Sequence, residues 1–422
     1  MKIKKLTLTN FRAYEYAEFN FNDGINLLVG INGAGKSSVL DALTVCLSVI
    51  FSNIPEAKVR KHSFSSDDIR IGAKSLQVSC DFTFLGKDYN LLIEKNSERR
   101  IIVNKIKTNK EEINYINDNE IFTPSFKLKI KTFAEFGKEP IGVIFSTKRS
   151  LITRQEPGKT AISGGQAAAY SEAFSSDRVF NLKVFADWYK VQEELSKEKI
   201  KTKKNVTTLK KAIEIFLPGF NNLKVQSDKK GTEFYIDKDA KQFKLSQLSD
   251  GERGIIALIF DIARRLSQAN PLSSNPLSEG NGVVLIDELD LHLHPRWQRT
   301  IIENLSNTFP KVQFISTTHS PQIIPSIEPE KIQLILNKKI LHPDRSLGMD
   351  SNWILRNLMD SEDRPNISLI AITEIENLIN KGSFDKARSL INKYKEKKQL
   401  DLTEWVTFEA RISKLKILKG KK

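Results

Sequence analysis

An α/β fold built around a phosphate-binding loop is predicted by three features of the 422-residue sequence. An apolar run, Ile25 to Val29, leads into Gly30-Ile31-Asn32-Gly33-Ala34-Gly35-Lys36-Ser37 and then into a helical pattern from Ser38 to Val49. A second apolar run, Val283 to Ile286, ends in the paired acids Asp287 and Glu288. Strand and helix patterns alternate over much of the rest, as they do where helices cover the faces of a sheet. Taken in order, the first feature fits Gly-x-x-x-x-Gly-Lys-Ser/Thr in the strand-to-helix context that gives the motif its meaning. Glycines at 30, 33 and 35 let the loop bend so that successive N–H groups and the helix N-terminus point at phosphates. Asn32, Gly33, Ala34, Gly35, Lys36, Ser37 and Ser38 are therefore the expected ATP contacts. Lys36 would place a point charge at the outer phosphates, and the Ser37 hydroxyl would hold Mg2+. A glycine turn into an ordinary helix is the bland alternative.

Four apolar residues before Asp287 suit a strand buried on both faces, and the carboxyl end of such a strand faces the crevice where open α/β sheets place ligands. Asp287 is expected on the metal side, and Glu288 is the candidate general base for an attacking water. The other reading has the pair capping a turn. Leu248-Ser249-Asp250-Gly251-Glu252 opens a helical run from Arg253 to Gln268 and reads as an ABC-type signature. In that class the signature of one subunit meets the γ-phosphate held by another. Ser249, Asp250, Gly251 and Glu252 are thus expected to act in trans, and the site is complete only in a dimer. Ile162-Ser163-Gly164-Gly165-Gln166 matches the transporter form of the signature more literally, but it lies too far upstream of Val283 and is read as a loop. Of five histidines, His319 follows the strand-like run Val312 to Ile315. It is the candidate switch residue at the γ-phosphate, with a simple strand-end histidine as the alternative. His292 and His294 have no other clustered ligands and are read as packing beside Asp290 rather than as a metal pair. Asp290 sits where ABC enzymes carry a dimer-contact aspartate, and that resemblance implies the same role for it here.

These residues carry a resemblance that covers most of the chain. The sequence resembles the RecF and SMC-like branch of ABC ATPases, with Lys5-Leu6-Thr7-Leu8-Thr9-Asn10-Phe11-Arg12 similar to the first strand of that branch. Within it, the best match is the group of single-chain bacterial ATPases from anti-phage operons typified by PtuA of Septu systems. The tail is similar too, through Gly348-Met349-Asp350-Ser351-Asn352-Trp353-Ile354-Leu355, Arg364-Pro365 and two amphipathic helices. The resemblance implies an ABC-type head with an inserted helical lobe and a C-terminal helical extension, ATP and Mg2+ as cofactors, and a homodimer or higher homo-oligomer. It also implies a nucleotide-gated assembly that regulates a separately encoded nuclease of the His-Asn-His (HNH), PtuB-like type. Two other readings stay open: a RecF-like ATP-dependent DNA repair or recombination factor, and an AriA-like ATPase of PARIS defence with a Toprim effector. Neither a Toprim acid pattern nor a His-Asn-His pattern occurs in the chain, so no nuclease activity of its own is expected.

The length calls for two or three lobes. Residues 1–150 are expected to hold the phosphate loop and an antiparallel layer, 151–219 a loop and the helical lobe, 220–345 the second part of the head, and 346–422 the extension. Phe180, Val184, Trp188 and Val191 suggest one apolar face for the helical lobe, which is read from about Phe174 to Phe216. Gln155 is the candidate for the glutamine loop. Cys46 and Cys80 make no disulfide framework, and no apolar run is long enough for a signal peptide or a membrane span, so a cytoplasmic protein is expected. Net charge is +15. Lys190 to Lys211 carries eight lysines against three glutamates, and the last twelve residues carry six cations and no acid. Such faces attract phosphate backbones, so nucleic acid is an expected partner, with solvated lysine-rich helices as the alternative.

Overall fold

The computed structural model describes residues 1–54, 57, 59–97, 102–108, 139–150, 152–153, 166–178, 180–198, 200–228, 231–359, 365–398, 400 and 402–419. Gln155, Ile162 to Gly165 and Arg364 lie outside them. The chain forms two compact units, Met1–Ile354 and Leu355–Lys422.

In the first unit, one sheet mixes β1 (Lys2–Phe11), β2 (Tyr14–Asn20), β4 (Ser75–Phe84), β5 (Lys87–Asn96) and β6 (Ile102–Thr108) in the order β2-β1-β4-β5-β6, all antiparallel. Along β4 buried residues alternate with less buried ones, as expected where one face packs inward and the other meets water. The central sheet is built differently. Its strands β3 (Ile25–Val29), β7 (Ile141–Phe145), β13 (Gly282–Ile286), β14 (Val312–Thr318), β15 (Ile332–Leu336) and β16 (Lys339–Leu341) run in the order β16-β15-β3-β14-β13-β7. All neighbours are parallel except β16, which closes one edge as an antiparallel hairpin with β15. Every residue of β3, β7, β13 and β14 is buried, so β7 and β13 read as apolar runs, while the buried polar side chains Asn26 of β3 and Gln313, Ser316, Thr317 and Thr318 of β14 interrupt the pattern in the other two.

Register decides where the chemistry lies. Val29 pairs with Thr318, and Ile286 with Ser316, so the phosphate loop after β3, the acids after β13 and His319 after β14 emerge at the same edge of the sheet. Helix α1 (Lys36–Phe51) continues directly from the loop.

The helical lobe starts later than its sequence suggests and shows a different face. Short strands β8 (Ile152–Thr153) and β9 (Phe180–Asn181) pair in parallel, and two helices follow, α2 (Leu182–Glu198) and α3 (Ile200–Phe216). Phe185 and Tyr189 are the buried anchors of α2, whereas Val191 is 51% exposed. The reason is aromatic packing: the Phe185 ring stacks on Phe260 at 4.1 Å and on Phe234 at 5.3 Å, which turns that side of the helix inward. Phe180 is placed in β9 rather than on the helix.

A three-stranded antiparallel sheet, β10 (Phe220–Asp228), β11 (Gly231–Lys238) and β12 (Lys241–Lys244), precedes α4 (Asp250–Ala269). Asp261 on α4 is buried and meets Arg178, Arg264 and Arg265. Burial would raise its carboxyl, but the three arginines outweigh burial and hold it well below the usual carboxylate range. Arg178 also donates to the Ile144 carbonyl at 2.9 Å, so the cluster clamps the middle of α4 to β7. A short helix, α5 (Pro276–Glu279), leads to β13, and α6 (Pro295–Thr308) lies between β13 and β14. Helix α7 (Ser351–Leu358) spans the division between the two units.

The second unit has a core of its own. Helices α8 (Asn366–Asn380), α9 (Phe384–Lys398) and α10 (Glu404–Lys419) bury Ile375, Ile391, Phe408, Ile412 and the whole of Trp405. The Trp405 indole N–H donates to the Leu400 carbonyl at 2.9 Å, so its one polar atom is satisfied inside the bundle. Among the described residues, no helix is long and apolar enough to cross a membrane.

Candidate nucleotide site

The phosphate loop needs its glycines for two separate reasons. Gly33 and Gly35 have φ of 76° and 108°, a left-handed backbone that disfavours a side chain. Gly30 is held by proximity, because a Cβ there would meet the Ile335 carbonyl oxygen at 2.6 Å. Tyr14 of the antiparallel sheet hydrogen-bonds the Ala34 carbonyl at 3.3 Å and thereby ties that sheet to the loop. Asn32 and Gly33 stand exposed at the tip. Lys36 is 6% exposed and folds back, its ammonium donating to the carbonyls of Gly30 at 2.9 Å and Ile31 at 3.0 Å. Burial lowers its pKa, and Asp287, Glu288 and Asp290 partly offset that effect.

The two distant motifs meet through Ser37. Its hydroxyl lies 3.3 Å from both carboxylate oxygens of Asp287. Thr317 of β14, which the sequence reading did not single out, completes the cluster. Its hydroxyl donates to Asp287 at 2.7 Å and accepts from the Glu288 N–H at 2.7 Å, so one side chain fixes both acids. Three consecutive hydroxyl residues at the end of a strand, Ser316, Thr317 and Thr318, all buried, were the available signal. Thr318 donates to Asp290 at 2.6 Å, and the His319 N–H donates to the same carboxylate at 3.2 Å. Burial and the Lys36 charge lower the His319 pKa against the opposing pull of Asp290, Glu288 and Asp287, which favours neutral imidazole. Glu288 sits at φ 47°, an unusual backbone for a residue with a Cβ. Arg12, φ 49°, reaches over from the end of β1 to Asp41 at 2.6 Å, Asp68 at 2.8 Å and Ser38 at 3.3 Å, placing a guanidinium beside the start of α1.

Thr317→Val keeps the shape and removes the hydroxyl. It leaves the Glu288 N–H without its acceptor and is expected to lower unfolding stability by about 1–3 kcal/mol, read by denaturant titration. Thr317→Ser should restore most of the loss. Wild-type stability in Thr317→Val would show that the bridge contributes nothing.

At the signature, the helix begins three residues before the expected Arg253. Ser249 is the N-cap of α4: its hydroxyl accepts from the Glu252 N–H at 3.4 Å, and the Glu252 carboxylate accepts from the Ser249 N–H at 2.9 Å. This capping box draws Asp250, Gly251 and Glu252 into the first turn. Glu252 is nearly buried and pairs with Lys238 at 2.7 Å. Burial would raise its pKa, but Lys238 and Ser249 outweigh that and lower it. Asp250 pairs with Arg253. Gln166 of the competing signature-like string donates to the Ala269 carbonyl at 3.3 Å, at the opposite end of α4 from Ser249. That end is roughly 30 Å away along a helix of this length.

The turn after Glu288 packs on the first turns of α4. A Cβ on Gly251 would meet the His292 carbonyl oxygen at 2.1 Å. Leu289, Leu291 and Leu293 face Gly254, Ile255 and Leu258 around one small apolar gap. His292 is exposed with φ 60°, and His294 caps α6 through Nδ1, which accepts from the Arg296 N–H at 3.2 Å. Both histidines therefore act through backbone position or capping rather than by packing in an interior.

Sequence relatives of this chain include proteins named as ATPases. The chain is 29% identical over 432 residues to the "Retron Ec83 probable ATPase" of Escherichia coli, covering 86% of this chain and 77% of that protein. It is 24% identical to the "Septu protein PtuA" of Bacillus thuringiensis, over 76% of this chain and 72% of that protein. Among solved structures, the SMC head bound to the C-winged helix domain of ScpA superposes with a TM-score of 0.49 and 18% identity, covering 81% of this chain and 98% of that one. Residues 25–324, which contain every element of the cluster from Lys36 to His319, match the family described as "AAA domain, putative AbiEii toxin, Type IV TA system". The chain belongs to that family and is a nucleotide-binding ATPase whose phosphate loop and paired acids meet at one edge of a largely parallel α/β sheet.

Proposed function

We propose that the chain is the ATPase subunit of a bacterial defence assembly, hydrolysing ATP in sites shared between two copies and controlling through them a separately encoded effector nuclease. The defence context rests on the relatives named for a retron and for Septu. One observation carries the shared site. Ser37, Asp287, Thr317 and Glu288 form a connected cluster, whereas the hydrogen bonds of Ser249 stay within its own helical turn. A signature serine is thus available at the surface for a phosphate held by another chain.

In this reading, Asn32 to Ser38 wrap the phosphates, and Lys36 exchanges the Gly30 and Ile31 carbonyls for outer phosphate oxygens. Ser37 and Asp287 offer hard oxygen donors that suit Mg2+, an ion usually held by few protein ligands beside substrate phosphates. Mg2+, when bound, neutralises charge on the phosphates. Glu288 accepts the proton of the attacking water, with Thr317 fixing its backbone. His319 lies beside Asp290 and reads the γ-phosphate as a neutral hydrogen-bonding group. Asp290 and the turn that follows it approach the second copy. The finer partner assignment is an HNH-type nuclease, and isolation of the native complex with mass spectrometry of its proteins and nucleic acid tests it. Recovery of the ATPase without any nuclease chain would overturn that assignment.

Shared sites make a sharp expectation. Lys36→Ala chains and Ser249→Arg chains should each be inactive alone, yet their mixture should hydrolyse ATP, because one interface then combines an intact phosphate loop with an intact signature. A mixture that co-assembles and stays inactive would show that each site is built within one chain.

A further inference from the structure

The hairpin that joins β1 to β2 reaches the phosphate loop from outside through Tyr14. Phe11 pairs with Tyr14 across this hairpin, so Arg12 and Ala13 form a two-residue turn, with Arg12 at φ 49°. Tyr14 is fully buried, and its ring meets Phe19 of the same strand edge-on at 6.0 Å, which leaves the ring little freedom. Its hydroxyl donates to the Ala34 carbonyl at 3.3 Å. Burial raises the Tyr14 pKa, so the phenol keeps its proton and stays a donor. The same hydroxyl seats against the next residue of the loop, because a Cβ on Gly35 would lie 2.5 Å from it.

We propose that Tyr14 is a positioning residue for nucleotide binding, which holds the Ala34–Gly35 peptide with its N–H turned toward the phosphates. The C=O and N–H of a trans peptide point in opposite directions, so a carbonyl drawn outward to Tyr14 turns the Gly35 N–H inward. Reversed, the same peptide would present an oxygen to the polyphosphate and replace attraction by repulsion. Glycine makes that reversal easy. With no Cβ, Gly35 takes positive and negative φ about equally well, so the freedom that lets the loop reach φ 108° also lets the peptide turn over. The carbonyls of Gly30 and Ile31 are held by the Lys36 ammonium of the loop itself, whereas that of Ala34 is held by a side chain from another sheet. Phenylalanine at position 14 would keep the ring and its packing and remove only this restraint. The role concerns one chain and its own nucleotide, so it is independent of how copies assemble.

Tyr14→Phe should weaken the binding of ATP and ADP to the dilute full-length chain by about the same factor, roughly two- to tenfold, as expected for one net hydrogen bond. Titration with N-methylanthraniloyl ATP and ADP in the presence of Mg2+ measures both. KM for ATP should rise in step while kcat stays near the wild-type value, the mark of an interaction made equally in ground and transition states. Tyr16→Phe is the control: its hydroxyl bonds Glu18 on the exposed side of β2, and both affinities should match the wild type. A lower midpoint of thermal unfolding with unchanged affinities would make the Tyr14 bond purely structural and overturn the proposal. So would a loss for ATP alone, which points to the γ-phosphate, a loss confined to kcat, or an equal loss in Tyr16→Phe.

Discussion

Glu288→Gln should slow ATP turnover by about 10²- to 10⁴-fold, the usual contribution of a positioned general base, while ATP continues to bind. Glutamine has the shape of glutamate and leaves untouched the backbone N–H that donates to Thr317 at 2.7 Å, so the turn at φ 47° should keep its form. What is lost is a proton acceptor beside the phosphates. Electrostatics point the same way for binding. Glu288 is one of the three acids that raise the Lys36 pKa against burial, and removing one negative charge beside an incoming polyphosphate reduces repulsion. The ATP-bound assembly should therefore accumulate and outlive that of the wild type. Phosphate release, equilibrium ATP binding and sedimentation velocity, measured on one preparation, separate the possibilities. Unchanged turnover would remove Glu288 from the chemistry, and a monomer under saturating ATP would remove the shared site.

Much of the scaffold was legible because buried parallel strands leave a plain trace. Val283 to Ile286 is apolar at every position, and Ile25 to Val29 at every position but Asn26, since both faces of β3 and β13 are covered. The features that were not legible depend on pairing across the sheet or on packing between elements. Thr317 reads as an ordinary strand residue until the register of β13 on β14 brings it against Asp287 and Glu288. The start of α4 was displaced because Asp250 and Gly251 look like loop residues, whereas the Ser249 to Glu252 capping box makes them helical. On α2, periodicity alone offered Val191, but stacking of Phe185 on Phe234 and Phe260 and the edge-on contact of Tyr189 with Phe234 selected those two residues. Arg12 entered only as part of a resemblance, and its approach to Ser38, Asp41 and Asp68 appears once β1 is laid beside α1.

Gly251→Ala sets local propensity against packing, and packing should win. Alanine in place of glycine inside a helix ordinarily adds up to about 1 kcal/mol of stability, and Gly251 does not have the positive φ that would oppose the change. The obstacle is the His292 carbonyl, whose oxygen would lie 2.1 Å and whose carbon 3.1 Å from the new methyl group. Both are backbone atoms, so no rotamer change relieves the contact. Either the first turn of α4 or the turn at His292 must move. The latter is tied back to the acids by the Leu289 N–H on the Thr317 carbonyl at 2.8 Å, the Leu291 N–H on Glu288 at 2.9 Å and the Leu293 N–H on Asp290 at 3.0 Å. Displacement there is passed to Glu288 and Asp290, and a misplacement of about 1 Å can cost roughly a hundredfold in rate. Turnover should fall by about that factor, with helix content by circular dichroism and ATP affinity of the dilute monomer near wild type. Wild-type turnover would mean that the signature helix and the Glu288 turn adjust independently. The expected loss would mean that the start of α4 and the Glu288 turn move together, and in the proposed shared-site assembly a phosphate held at Ser249 would then shift the acids of the same chain through Gly251.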